Sequence, residues 1–326
     1  NVSMRDIYTP LRLPEFDSSR GSGPVLEWME NWTSSEALSD LVEIFGGIIP
    51  SSLALTKRLN YLSDFSSRWD FRQGRERNLA PPIEADEMNV QCILAAAALG
   101  LSGESSLLHD SYDHIVILGG LARACISRPR FAHSILKDVS SQDVVALGSF
   151  RALADDELSI ARSVGLVGYR DEFTLLDAGT RQAFDITVEG HTRQQNESDD
   201  NPLWLIRNYE EVEGRRISII AAPSTDPTRR ANTPDTYEFY ARNVATLSPG
   251  SRILLVTSQI YRVFQCLDAI RLLGLPWDVS IEVVGVGPQW ANELVLRQNF
   301  TPAQYLQEVR SSIRSIAQLL PEIVSK

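Results

Sequence analysis

Cysteine and histidine are both scarce in this chain. It has three cysteines and four histidines among 326 residues, and Cys92, Cys125 and Cys266 stand far apart with no C-x-x-C pair. This odd number and wide spacing argue against a disulfide framework, and no histidine is spaced with them as in a structural zinc site. We therefore expect reduced, buried thiols, no metal site and a location in the cytoplasm.

Long apolar runs are missing as well. No stretch approaches the about 20 apolar residues that a membrane helix requires, and no signal-peptide pattern is visible. The net charge of −11 disfavours general binding to nucleic acid or to an anionic membrane, because both attract positive charge. With 43% hydrophobic and 22% charged residues, the composition is that of a globular protein. The expected partner is a small molecule.

The most informative stretch lies at residues 112–120. Residues 114–118 read H-I-V-I-L and predict a strand buried on both faces. Gly119 and Gly120 follow at once, so the backbone can turn sharply and approach a ligand. An arginine-bearing segment then leads to a predicted helix at residues 129–136. A strand, a glycine turn and a helix form the opening unit of a doubly wound α/β domain.

Strands and helices alternate from residue 110 onward, which predicts a mostly parallel, five-stranded, Rossmann-like sheet. The predicted strands are residues 114–118, 143–147, 216–222, 252–257 and 279–284. Helices are predicted at residues 155–164, 236–246, 262–273 and 301–325. The polar stretch 187–211 is predicted as a surface excursion or a mobile lid.

The first 109 residues differ in pattern. Residues 1–30 carry several prolines and are predicted to form an irregular arm, and helical spacing then appears at residues 34–45, 52–67 and 86–101. We therefore divide the chain into an arm and helical layer (1–109) and a ligand-binding α/β domain (110–326). The helical layer is a candidate dimer surface, which would make the protein a homo-oligomer.

Small or hydroxyl residues follow every predicted strand. Because the carboxyl ends of parallel strands meet at one edge, these residues predict a ligand site there. They include Gly119, Gly120, Gly148, Ser149, Ser224, Thr257 and Ser258.

Two arginine-rich segments could hold an anionic ligand. After the third strand, Asn232, Thr233 and Asp235 suit the start of a helix at Pro234, but this role does not explain Arg229 and Arg230. The other segment, residues 68–77, has four arginines, which either clamp an anion or belong to a solvated loop.

These motifs resemble the YdcF/SanA/ElyC-like family over about residues 110–290. The matching segments are D-H-I-V-I-L-G-G at 113–120, Gly148-Ser149 with Glu157 downstream, N-T-P-D-T at 232–236 and L-L-V-T-S-Q-I-Y at 254–261. The resemblance implies a Rossmann-like sheet, with S-adenosylmethionine binding in some members and cell-envelope maintenance in others. The family histidine falls on Tyr261 and a family arginine on Phe264, with Arg262 nearby, so chemistry that needs that histidine is not implied here.

Familiar catalytic motifs are missing. There is no G-x-S-x-G elbow, no complete G-x-G-x-x-G and no P-loop, and His114 lies inside a strand, where a core role is expected. The remaining candidates for proton transfer are Asp226, Glu157 and Tyr261. The alternatives are that Tyr261 packs its ring and that Glu157 lies on the polar face of a helix. The anion-holding candidates are Arg123, Arg229, Arg230 and Arg262.

The strand-end site together with this family resemblance implies a transferase-like enzyme that binds S-adenosylmethionine or a related nucleotide-like ligand and acts on a small metabolite. The alternative is a non-catalytic binding or sensor protein that kept the ligand site. The residues expected to bind the ligand are Gly119, Gly120, Gly148, Ser149, Ser224, Arg230, Asn232, Thr233, Asp235, Thr257 and Ser258.

Overall fold

The computed structural model describes residues 8–71, 86–198, 201–226 and 228–325. In these ranges four α-helices precede the sheet: α1 (Gly23–Thr33), α2 (Glu36–Ile44), α3 (Leu55–Phe65) and α4 (Asp86–Ala96), and α4 continues as a π-helical turn, Ala97–Leu101. The α/β region then runs through β1 (His114–Leu118), α5 (Ala122–Ile135), β2 (Asp143–Gly148), α6 (Asp155–Ser163), α7 (Glu172–Ala183), β3 (His191–Ser198), β4 (Asn201–Val212), β5 (Arg215–Ala221), α8 (Thr233–Asn243), β6 (Arg252–Ser258), α9 (Arg262–Ala269), the short α10 (Leu275–Trp277), β7 (Ser280–Val286) and α11 (Pro302–Val324).

All seven strands form one mixed sheet in the order β3-β4-β5-β2-β1-β6-β7. From β5 to β7 every neighbouring pair is parallel, whereas β3, β4 and β5 pair antiparallel. The α/β class and the mostly parallel sheet are confirmed. The five parallel strands lie in the order third, second, first, fourth, fifth along the chain, which reverses direction between β1 and β6. Ligands of open α/β sheets bind at such a reversal.

The predicted strand number was wrong, because the sheet has seven strands and not five. The two additional strands, β3 and β4, form a hairpin that begins in the 187–211 stretch, where a surface excursion or lid was predicted, and ends at Val212. Residues 191–198 of this stretch are polar, but the residues of β4 that follow include Leu205 and Tyr209, which are buried. The second half of the stretch therefore belongs to the core of the sheet. Residues 199–200 lie outside the described part of the chain.

Helices cover both faces of the sheet. On one face α5, α6 and α7 pack over residues such as Ile115 and Ile117. On the other face α8, α9 and α11 pack over Val116 and Leu255, and α1 to α4 join the same hydrophobic cluster. The alternation of buried side chains along β1 follows from strand geometry, in which successive residues point to opposite faces. The amino-terminal layer thus shares its core with the sheet.

Two helices differ from the prediction, because α1 was not predicted and α5 begins earlier than expected. The expected arm at residues 1–30 contains α1, because Pro24 stands in the first helical turn, where proline is tolerated. Helix α5 begins at Ala122 and not near Pro129, which lies inside it. A Cβ at Gly179 would lie 2.2 Å from the carbonyl oxygen of Cys125. In a regular helix this carbonyl would accept a hydrogen bond from the N–H of residue 129, but Pro129 has no N–H. Gly179 of α7 lies against this carbonyl, and only glycine leaves enough space for such close packing.

The amino edge of the sheet carries structural polar contacts. His114 Nδ1 lies 2.6 Å from Asp143 Oδ2, and Arg216 binds the other carboxylate oxygen of Asp143. The core role expected of His114 is thereby confirmed. Phe16 and Ile281 exchange two backbone hydrogen bonds, so the residues before α1 shield the β7 edge.

Within the described ranges, no helix is both long and apolar enough to span a membrane. Cys92, Cys125 and Cys266 are buried free thiols, as expected.

Candidate functional site

A two-part crevice lies at the carboxyl edge of the parallel strands, where β1 and β6 meet. We name its parts the arginine chamber, of about 380 Å³, and the carboxylate chamber, of about 330 Å³. The arginine chamber includes Gly120, Arg123, Arg128, Arg151, Ser258 and Tyr261 in its lining. The carboxylate chamber includes Gly148, Ser149, Glu172, Asn232, Thr236 and Asp268. Both chambers are bordered by Gly119, Thr233, Phe264 and Gln265.

Arg128 is the central polar side chain of the arginine chamber. It is 2% exposed, and its Nε donates to Ser258 Oγ at 3.1 Å, which links α5 to the end of β6. Its Nη1 donates to the carbonyl oxygens of Leu118 and Gly119 at 2.8 and 2.7 Å. Burial lowers the pKa of Arg128, but an arginine remains charged at neutral pH. No carboxylate in the described part of the chain pairs with it.

Aromatic rings form another wall of the arginine chamber. The guanidinium carbon of Arg128 lies 5.9 Å from the ring centroid of Tyr261. Phe264 and Phe300 meet the Tyr261 ring edge to face, at 6.2 and 6.4 Å between centroids. A planar group of a ligand could pack against these rings.

An internal carboxylate occupies the amino end of α5. Glu157 accepts a hydrogen bond from the backbone N–H of Ala122, the first residue of that helix, at 3.0 Å. Arg151 binds both carboxylate oxygens of Glu157, and Ala154 N donates to it as well. Burial favours the neutral acid, but these hydrogen bonds outweigh burial and lower the pKa of Glu157. Glu157 borders neither chamber, and its proposed part in proton transfer stays a prediction.

Glu172 supplies a buried carboxylate to the other chamber. It is 8% exposed, and its Oε2 accepts from Ser149 Oγ and Arg151 Nε, both at 3.3 Å. Its Oε1 lies at the turn after β1, because a Cβ on Gly119 would approach this atom to 2.5 Å. Burial raises the pKa of Glu172, and Arg151 only partly opposes this.

The turn after β5 holds its polar residues together mainly by internal bonds. Asn232 caps α8 by accepting from Asp235 N, while Asp235 accepts from Thr225, Arg229 and the Asn232 N–H. Burial alone would raise the pKa of Asp235, but these bonds hold it at about 2. Arg229 is therefore an ion-pair partner of Asp235. Its role as an anion ligand stays a prediction.

Of the predicted site residues, the crevice brings together Gly119, Gly120, Gly148, Ser149, Asn232, Thr233, Ser258, Tyr261 and Arg123. Other predicted residues border neither chamber. Ser224, Asp226 and Arg230 lie in the turn after β5, where Asp226 accepts from Thr228 and Arg230 is exposed. Thr257 is buried and bonded to Gln265. Arg262 donates to the carbonyls of Gly100 and Ser102 and ties α9 to the amino-terminal layer.

Sequence reasoning missed Arg128 and Glu172. Arg128 escaped notice because its helix was expected to begin after it. Glu172 directly follows Asp171, which caps α7. Two adjacent acidic residues are typical of a helix start, and this pattern was the only local sign of the position of Glu172. Of the arginines at 68–77, only Arg68 is described, and it binds the carbonyls of Phe65 and Phe45. Within the described ranges, no group of three or more metal-ligating side chains is present.

Fold and crevice define an α/β protein with a mostly parallel sheet and a cavity at its carboxyl edge. The Rv3785 N-terminal domain family matches residues 18–100. Two curated relatives are each 32% identical over 340 residues, covering 96% of this chain and 94% of the relative. They are the uncharacterized protein Rv3785 of Mycobacterium tuberculosis (strain ATCC 25618 / H37Rv) and the uncharacterized protein Mb3814 of Mycobacterium bovis. The chain belongs to the Rv3785 family. No solved structure matches it significantly.

Proposed function

We propose that this protein is a Rossmann-like enzyme that binds S-adenosylmethionine, or a related nucleoside-bearing ligand, in the crevice and transfers a group to a small metabolite. The observation that carries the proposal is Arg128, a buried arginine at the reversal of strand order whose bonds go to a hydroxyl and two carbonyls. Among the described residues no carboxylate forms an ion pair with Arg128, and Glu172 acts on it only at longer range, so its buried charge is costly. An anionic ligand group, such as a carboxylate, would supply the counterion.

The Glu157 carboxylate at the amino end of α5 helps to distinguish between the possible nucleoside-bearing ligands. In dinucleotide-binding folds the first helix receives the diphosphate at its amino end. Here Glu157 places a carboxylate on that helix end, so a diphosphate would meet negative charge. S-adenosylmethionine has no phosphate, and its carboxylate suits Arg128. The resemblance to the YdcF/SanA/ElyC-like family points to the same ligand and stays a prediction.

A specific observation also favours the second candidate, a non-catalytic sensor. Among the described residues that border the two chambers there is no histidine, and Tyr261 stands where the YdcF/SanA/ElyC-like family, which the sequence resembles, has one. A sensor needs the ligand site and no proton-transfer group. The two candidates differ in turnover and not in ligand binding.

Calorimetric titration of the purified full chain with S-adenosylmethionine, S-adenosylhomocysteine, ATP and NAD tests the proposal. We expect micromolar binding of the two sulfur compounds and at least tenfold weaker binding of ATP and NAD. Equal or tighter binding of NAD would contradict the role given to Glu157. Failure of all four ligands to bind would contradict the proposed ligand class.

A further inference from the structure

We propose that the carboxylate chamber is a subsite for the protonated amino group of a small organic molecule. This deepens the proposed function, on which it rests for the role of the crevice, by naming the chemical class of the metabolite. The two chambers differ in the charged residues that border them. Arg123, Arg128 and Arg151 border the arginine chamber together with Glu308. The carboxylate chamber has Glu172 and Asp268 and, among its described lining residues, no lysine, arginine or histidine.

Arg151 neutralises Glu172 only in part. Both terminal nitrogens of Arg151 go to Glu157 at 2.9 Å, so only Nε remains for Glu172, at 3.3 Å. Glu172 is a buried residue, with 8% of the whole residue and 11% of its side chain exposed. Within the described chain its Oε1 accepts no hydrogen bond, although it lies at the boundary residue Gly119. A ligand cation would supply the partner that this oxygen lacks.

Asp268 provides the second carboxylate of the chamber. Its Oδ1 is buried without a hydrogen-bond partner in the described part of the chain, but it forms an ion pair with Arg271 at 3.8 Å, and Ser315 also favours the charged carboxylate. Burial raises the pKa of both Glu172 and Asp268. A cation bound between desolvated carboxylates favours their charged forms and is itself held more strongly than in water.

The size of the chamber and its hydrogen-bond acceptors favour an ammonium group over a bare metal ion. A volume of about 330 Å³ falls at the lower end of small-molecule pockets, which span about 300–1,000 Å³. The hydroxyls of Thr233 and Thr236 border the same space and can accept hydrogen bonds. An ammonium group has three donors to distribute among such oxygens, while its carbon chain fills the volume that an ion would leave empty.

NMR titration of the isotope-labelled full chain, with no nucleoside present, tests this subsite. The probes are propylammonium and 1,4-diaminobutane, each compared with its alcohol counterpart, propan-1-ol and butane-1,4-diol. We expect the ammonium compounds to shift signals of Ser149 and Thr233 and to bind at least tenfold more tightly than the alcohols. Glu172→Gln should weaken ammonium binding at least tenfold. Glu322→Gln, which changes an exposed carboxylate on α11, should leave it unchanged.

Equal binding of alcohols and ammonium compounds, or full binding by Glu172→Gln, would overturn the subsite. If Glu172→Gln does not fold, Asp268→Asn replaces it, with at least a tenfold loss expected and unchanged affinity contradicting the inference. Because this titration contains no nucleoside, it tests the subsite independently of the proposed function. Ammonium binding without any S-adenosyl binding would overturn only the latter.

Discussion

Arg151 binds Glu157 through two parallel hydrogen bonds of 2.9 Å, and Glu157 in turn caps the first helix after β1. This helix end is the place where related folds commonly receive a ligand phosphate. The protein fills it with its own carboxylate. Under the proposed function the pair disfavours a dinucleotide at this helix end, and Arg128 is the proposed anion-binding group.

Removing Arg151 should be strongly destabilising. Arg151→Ala leaves Glu157 buried, with 3% of the residue exposed, and without its countercharge, which typically costs about 3–5 kcal/mol. Urea unfolding followed by circular dichroism measures the free energy of unfolding. As the matched control, Arg242→Ala breaks an exposed pair with Glu238 and should cost at most about 1 kcal/mol. Equal losses in the two variants would show that the Arg151 pair is not structurally important.

A methyl group at Gly119 should disturb the boundary between the chambers. The Cβ of Gly119→Ala would lie 2.5 Å from both Glu172 Oε1 and the carbonyl oxygen of Leu147. The carbonyl belongs to β2 and yields little, so we expect a loss of about 1–3 kcal/mol and weaker S-adenosylhomocysteine binding. Gly23→Ala is the control, because its Cβ meets no atom within 4 Å. Unchanged stability and binding in Gly119→Ala would contradict the described geometry.

Asp235 should make the protein sensitive to acid. Its pKa is about 2 in the folded protein against 3.8 for the free side chain, so the unfolded chain binds the proton more tightly. Asp235 therefore contributes stability above about pH 4 that is lost as the pH falls toward 2, up to about 2 kcal/mol. Urea unfolding of wild type and Asp235→Asn at several pH values measures this. Their stability difference should shrink on acidification. A constant difference would contradict the role of Arg229 and Asn232 in holding the charge.

Substitution of Tyr261 distinguishes the proposed enzyme from the proposed sensor. Its ring borders the arginine chamber beside Arg128, and Tyr261→Phe keeps that ring while removing the hydroxyl. If Tyr261 transfers a proton, turnover of an identified substrate should fall by about 100-fold or more, with ligand affinity nearly unchanged. Equal turnover in the variant would assign Tyr261 a packing role. Substitution of the exposed Ile48 by Ala is the control.

The parallel strands could be predicted because each is a short apolar run bounded by turn residues. Runs such as Ile217 to Ala221 are buried along almost their whole length, which leaves little ambiguity between strand and helix. The β3 strand could not be predicted, because H-T-R-Q-Q-N-E-S has no apolar alternation and lies at the sheet edge. Its partner, β4, provides the apolar residues.

The edge that carries the crevice was predictable, whereas its charged groups were not. Small residues at strand ends are visible in the sequence. The placement of Arg128 depends on a helix that runs through Pro129, which local rules disfavour and which close packing against Gly179 accommodates. Glu172 reaches the turn after β1 from a helix that begins more than 50 residues later. Such long-range contacts leave no local pattern.

Calorimetric titration of S-adenosylhomocysteine into wild type and Arg128→Met tests the central claim most directly. The variant replaces a buried charge by an apolar side chain of similar length but leaves the carbonyls of Leu118 and Gly119 without their donor, so we expect a loss of about 1–3 kcal/mol in the free energy of unfolding. Arg20→Met changes an exposed arginine and serves as the control. The account predicts micromolar binding by wild type and the control, and at least tenfold weaker binding by folded Arg128→Met. Equal affinity in all three proteins would contradict it.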